Sequence, residues 1–207
     1  MLMLRKDLTD GVLAGMMVSF GGAVLLSCDN RYAGAFLFCI ALLAICFFGF
    51  NLYTGKVGFL IEDHSKAMFR KVFSGLAGNF LGTLLFGLVA GAAVPALREA
   101  AAKACAARLT QLPIQTILRG FLCGILMYVA VWIYGRKKSV LGILFCIPVF
   151  VLSGFEHSIA DMFYFSLAGA MFRPQSLLFL LLVVLGNSAG GLFIPLLGLV
   201  KGKDSDG

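Results

Sequence analysis

The sequence predicts an all-α integral membrane protein: six transmembrane helices in a 3+3 inverted repeat, with the second and fifth helices broken. Three observations predict it. Of 207 residues, 60% are hydrophobic and 13% charged, with mean hydropathy +0.98; a soluble domain carries about a quarter charged residues. The apolar residues gather into six units, each near the roughly 20 residues a helix needs to cross a bilayer. Two of those units are interrupted by polar residues at matching places in the two halves. The length suits one domain, residues 1–207.

The first span is expected at about Gly11 to Cys28, behind a short head with Arg5, Lys6, Asp7 and Asp10. It reads as a retained span, because no small-residue cleavage site follows it. The second starts near Ala33, breaks at Asn51-Leu52-Tyr53-Thr54-Gly55-Lys56 and ends near Ile61. The third covers about Val72 to Val94. An alanine-rich segment from Arg98 through Lys103 to Arg108 follows and reads as a loop helix. Two roles stay open for it, a solvated helix or an electropositive vestibule that concentrates anions.

The fourth span is expected at about Ile117 to Tyr134. The fifth starts near Val140, is interrupted around Gly154 to Asp161 and ends near Phe172. The sixth runs from about Ser176 to Val200. Ten Lys and Arg residues then fall on the face of the two termini, Lys201 and Lys203 among them, and six on the other. The positive-inside rule places both termini in the cytoplasm. The net charge of +7 has that origin; no aromatic residues interleave with the basic ones as in a nucleic-acid interface, and no nucleic-acid partner is expected.

The fifth span holds the chemistry. Glu156, His157 and Asp161 lie inside an otherwise apolar run, where a charge is costly unless it faces protein or a watered path. Each half contains an intact helix, a broken helix and a Gly-Asn helix: Gly78-Asn79 in span three, Gly186-Asn187 in span six. Three spans per half is odd, so the second half inserts upside down, and paired breaks point to a substrate path at the repeat interface. Unwound backbone at that depth must be satisfied by protein or water. Thr54 supplies a hydroxyl there and Gly55 a tight loop.

His157 handles substrate or is a satisfied structural histidine. Burial opposes its charge while Glu156 favours it. Glu156 and Asp161 are expected to be structural, bonding backbone exposed by the break. Lys56 is either a pore-facing cation or a partner of Glu156 or of a backbone carbonyl. His64 belongs to a solvated loop. Six cysteines without metal spacing read as apolar filler. Two histidines and no metal cluster argue against an enzyme, and no cofactor is expected.

The run Gly154-Phe155-Glu156-His157-Ser158-Ile159-Ala160-Asp161-Met162-Phe163 resembles the fifth-span motif of the formate/nitrite transporter family. Leu52-Tyr53-Thr54 resembles its second-span loop, and Arg119-Gly120-Phe121-Leu122-Cys123 with Ala130-Val131-Trp132 its fourth span. Gly186-Asn187 with Gly190-Gly191 is similar to its sixth. The resemblance spans roughly Gly11 to Val200. It implies an aquaporin-like protomer in a homopentamer, one pore per protomer, in a prokaryotic plasma (inner) membrane. It implies passage of formate, nitrite, hydrosulfide or similar monovalent anions or their acids, with protons as possible companions.

On that resemblance His157 matches the central pore histidine and Thr54 the threonine facing it. Phe38, Leu42 and Phe150 match apolar constriction positions, and Asn187 a pore asparagine. Tyr53 stands at a constriction where phenylalanine is common, Asp161 where asparagine is usual, and Lys56 where many members are uncharged. Gly124 stands where a second pore asparagine is usual, which would widen the path. Arg108 and Lys103 are both candidates for the vestibule cation. The alternative reading is a neutral-solute channel for water or urea-like molecules.

Overall fold

In a computed structural model, residues 2–198 are described. They form nine α-helices and one short 3-10 helix. Lys201, Lys203 and the expected end of the sixth span at Val200 lie outside the described residues.

The first span is α1, Leu2–Ser27. Asn30 then starts α2, Arg31–Leu37, its side-chain oxygen accepting from the N–H groups of Tyr32 and Ala33. Phe38 keeps helical dihedrals, so α2 runs into α3, Cys39–Phe48, as one 18-residue span. Gly49 ends α3 with φ of 73°, a left-handed conformation that favours glycine. The chain unwinds to Lys56 and then makes the 3-10 turn Val57–Ile61. Gly49 thus takes the conformational role expected of Gly55, which has no positive φ.

Ser65 caps α4, Lys66–Ala93. Pro95 opens the loop helix α5, Pro95–Leu109, and Pro113 opens α6, Pro113–Lys137. The fifth span is α7, Leu141–Ser153, followed by α8, Ser158–Leu167, bent 57° from it. Gly154 ends α7 with φ of 69°, the counterpart of Gly49. The break is shorter than the sequence suggests: Asp161 already lies inside α8. The sixth span is α9, Pro174–Leu196. Five segments are long and apolar enough to cross a bilayer, and the bent α7–α8 pair is the sixth span.

α1 packs along α4, and α6 packs along α9. Small residues bring both pairs together, since packing between helices in lipid relies on close contact. A Cβ on Gly11 would sit 3.1 Å from the Gly78 Cα, and one on Gly120 would sit 3.2 Å from the Gly186 Cα. The two broken spans lie between these pairs. Every residue of α8 is buried. The result is the six-span inverted repeat, with both breaks delivered to the middle of the molecule.

Candidate functional site

Both breaks are held by one asparagine each. Asn187 accepts from the Ser158 N–H at 2.8 Å and donates to the carbonyls of Gly120 at 2.8 Å and Glu156 at 2.9 Å. Asn79 does the same in the other half. It accepts from the Tyr53 N–H at 2.9 Å and donates to Gly11 at 2.8 Å and Asn51 at 2.9 Å. Both amides are fully buried. Backbone groups freed by the breaks would otherwise lack partners in an apolar medium; each amide satisfies two of them and ties the break to a carbonyl of a neighbouring intact helix.

That clamp fixes His157, the N-cap of α8. Its Nδ1 accepts from the Ala160 N–H at 3.2 Å, and its Nε2 lies 2.9 Å from Thr54 Oγ1. A neutral imidazole has one donor and one acceptor nitrogen. With Nδ1 accepting, the neutral ring carries its proton on Nε2 and donates it to Thr54. Phe150 stacks on the imidazole at 5.7 Å between centroids. Thr54 and His157 are 1% and 3% exposed.

Two cavities lie on opposite sides of His157 and its apolar neighbours, and Thr54, behind His157, is in the wall of neither. The one on the α5 side has a volume of about 270 Å³ and is lined by Phe38, Phe150, His157 and several charged groups. The one on the side of the N-terminus has about 330 Å³ and includes Leu42, Ile45, Leu52 and Lys56 in its wall. Between them is a chamber of about 10 Å³ that shares Phe38, Phe150 and His157 with the first and Leu42, Ile45 and Leu52 with the second. Phe38 and Phe150 meet edge to face at 6.0 Å. A volume this small holds about one water, and apart from His157 the shared walls are apolar on both sides.

Glu156 and Asp161 are anchored by side chains of α5 and its following loop, not by backbone of the break. Arg108 Nε donates to Asp161 Oδ1 at 2.8 Å and lies 3.1 Å from Glu156 Oε2. Gln111 Nε2 donates to Glu156 Oε1 at 2.6 Å, and the Arg108 guanidinium sits 4.8 Å from the Tyr164 ring centroid. Burial opposes the Arg108 charge, but Asp161 and then Glu156 outweigh it and hold the guanidinium above its ordinary pKa. Arg31 and Arg119 complete the charged wall of this cavity.

Several expectations are revised. Asn187 is not free to meet substrate, because its amide is spent on the break. Tyr53 does not line the constriction: its hydroxyl bonds Ser188 Oγ at 2.6 Å, and Leu52 lines the chamber instead. Gly124 does not widen the path. It is a packing contact, where a Cβ would lie 2.9 Å from the Gly191 N. Lys103 is exposed and outside the α5-side cavity, whereas Arg108 lines it. Lys56 does not meet Glu156, which belongs to the opposite cavity. The roles of Asn79, Arg31, Arg119 and Leu52 were not singled out from sequence. The Gly-Asn repeat was the available signal for Asn79.

The chain matches the sequence profile of the formate/nitrite transporter family over residues 2–200. It belongs to that family. Among similar proteins is the uncharacterized transporter YwcJ of Bacillus subtilis, 26% identical over 211 residues, covering 87% of this chain and 82% of YwcJ. Another is the nitrite transporter NirC of Salmonella typhimurium, 27% identical over 180 residues, covering 78% of this chain and 67% of NirC. A solved pentameric formate channel with formate bound superposes with a TM-score of 0.79, at 23% identity, over 95% of this chain and 96% of that one. An FNT family ion channel gives 0.78 at 23% identity, over 95% and 88%. The fold of this formate/nitrite transporter is therefore that of the solved channels, and its family is one of transporters, not enzymes.

Proposed function

We propose that this protein conducts small monovalent weak-acid anions, formate, nitrite or hydrosulfide among them, through a pore in each protomer past His157 and Thr54. The observation that carries the reading is His157, bonded to Thr54 at 2.9 Å and set in the wall of the small chamber between two cavities. The family and the formate-bound neighbour support the substrate class. The pentameric neighbour supports a homopentamer, bacterial relatives support an inner-membrane location, and the excess of Lys and Arg on the terminal face supports cytoplasmic termini.

Physics favours the acid at the two rings. A bare anion loses its hydration at an apolar constriction, at a cost of several kcal/mol after relaxation. A neutral acid loses far less. The anion gathers in a charged cavity, takes a proton from the cavity's water as the dielectric falls, and crosses a ring made by Phe38 and Phe150. It exchanges hydrogen bonds with Thr54 and His157, crosses the ring of Leu42, Ile45 and Leu52, and ionises again in the other cavity. His157 acts here as a hydrogen-bond donor through Nε2. Acting as a proton donor would require imidazolium, which forfeits the Nδ1 cap on Ala160 and places charge at the positive end of α8. Thr54, with its oxygen accepting from His157, keeps its own hydroxyl proton for substrate.

Swelling of proteoliposomes in formate, nitrite or hydrosulfide salts, against urea, tests the reading at two pH values. The expected result is anion-salt swelling that accelerates as pH falls and slow swelling in urea. Fast urea flux with no anion flux would favour the neutral-solute alternative.

A further inference from the structure

The two cavities are not electrically equivalent. On the α5 side, Arg31, Arg108 and Arg119 face Glu156 and Asp161, which leaves one net positive charge, and Arg108 is tied to both carboxylates. On the terminus side, Lys56 and Lys71 are in the wall and no Asp or Glu is. Of the acids nearest this end, Asp7, Asp10, Glu62 and Asp63 all lie outside that wall, and two of them are ion-paired. Asp7 pairs with Arg70 at 3.3 Å, and Glu62 pairs with Arg136 at 2.9 Å while accepting from the Tyr128 hydroxyl at 3.1 Å. Among the described residues, neither Lys56 nor Lys71 has an ion-pair partner.

We infer that Lys56 and Lys71 together form an anion-binding station that loads the pore from the terminus side. The inference rests on the transport reading above and adds a residue, Lys71, and a sidedness to it. Both lysines are placed by rigid backbone. Lys56 ends the break that Asn79 clamps, and the Lys71 carbonyl accepts from Asn51 Nδ2 at 2.8 Å, which pins α4 against the same loop. The rest of the wall is mostly apolar, with Leu42, Phe50 and Met68 around the lysines. Low-dielectric walls focus the field of two like charges into the cavity. An anion between them relieves their repulsion and takes a hydrogen bond from each ammonium, as the two oxygens of formate or nitrite allow. A volume of about 330 Å³ leaves room for water around such an anion, so it is held without being stripped. The cavity on the α5 side, with Arg108 tied to two carboxylates and one net positive charge left over, holds anions less tightly.

Cys46 lines the same cavity and reports on its potential without any transport. The wild-type chain is treated from the terminus side with anionic and cationic methanethiosulfonates of similar size, and modification of Cys46 is quantified by mass spectrometry. In low salt the anionic reagent should react faster by about tenfold. That preference should shrink towards parity in Lys56→Gln and in Lys71→Gln, and in about 0.5 M salt. Half-saturation for formate entering from the terminus side should rise several-fold in both variants, with entry from the α5 side and the maximal flux little changed. Equal reaction of both reagents, a preference indifferent to both substitutions, or a rise in half-saturation equal from both sides would overturn the station. A clear reagent preference in a protein that passes no monovalent anion would keep the station and overturn the transport reading instead.

Discussion

At the scale of single residues, the chamber depends on hydrogen-bond direction. Nδ1 of His157 is committed to the Ala160 N–H, so Nε2 is the donor and Thr54 Oγ1 the acceptor. Thr54→Val keeps the volume and removes that acceptor. It leaves the buried Nε2–H without a partner, at a cost of about 1–3 kcal/mol. If the pair is met again at the top of the barrier, formate flux should fall by about tenfold or more, 1.4 kcal/mol per decade. Thr54→Ser restores the hydroxyl and should recover most of the flux. Stopped-flow swelling of the two variants checks this, and equal flux in Val and Ser would remove Thr54 from the path. His157 and Thr54 were legible in the sequence because polar residues inside apolar runs are conspicuous. Tyr53 misled because its place at a constriction came from the family resemblance alone. Its side-chain direction depends on Ser188, 135 residues away, which no local pattern shows.

At the scale of elements, α5 is latched onto α8. Arg108 supplies the latch, and both of its carboxylates are buried, with Asp161 at 0% and Glu156 at 4% exposure. Removing one partner of a buried ion pair strands the other charge and costs about 3–5 kcal/mol. Arg108→Met should therefore lower the unfolding midpoint in detergent sharply. Adding Asp161→Asn to it should recover part of the loss, because the two residues are coupled. Lys103→Met, on the exposed face of the same helix, should change stability by no more than about 0.5 kcal/mol. A midpoint unmoved by Arg108→Met would show that the latch contributes nothing. The elements themselves were readable from sequence: six apolar units, an alanine-rich loop helix, two breaks. Their edges were less so. Helices run past the apolar stretch wherever a cap allows, as α4 does back to Ser65. The breaks begin where Gly49 and Gly154 turn left-handed, a backbone property that many of the chain's 25 glycines could equally have supplied.

At the scale of the whole molecule, inversion puts equivalent parts on opposite sides of one chamber. Asn79 and Asn187 hold the two breaks with the same three bonds, and each half contributes to the walls. Phe38 and Leu42 come from the first half, Phe150 and His157 from the second. The repeat was visible in the Gly-Asn pairs, but the clamp was not, because its acceptors lie on other helices. On the transport reading proposed above this makes two barriers in series, and barriers in series act differently from one. Removing one leaves the other to exclude hydrated ions, whereas the permeant acid already crosses both. Phe38→Ala should open the α5-side cavity to His157 and raise formate flux modestly, while chloride leak stays at background because Leu42, Ile45 and Leu52 still close the far side. Leu42→Ala alone should behave the same way, with Phe38 and Phe150 still in place. The double variant should leak chloride, and the leak should far exceed the sum of the singles. Both substitutions remove buried side chains and cost about 2–5 kcal/mol each in stability, so an intact size-exclusion profile is the control for every variant. Chloride leak in either single variant would mean that one ring alone carries the selectivity, and that the second is packing.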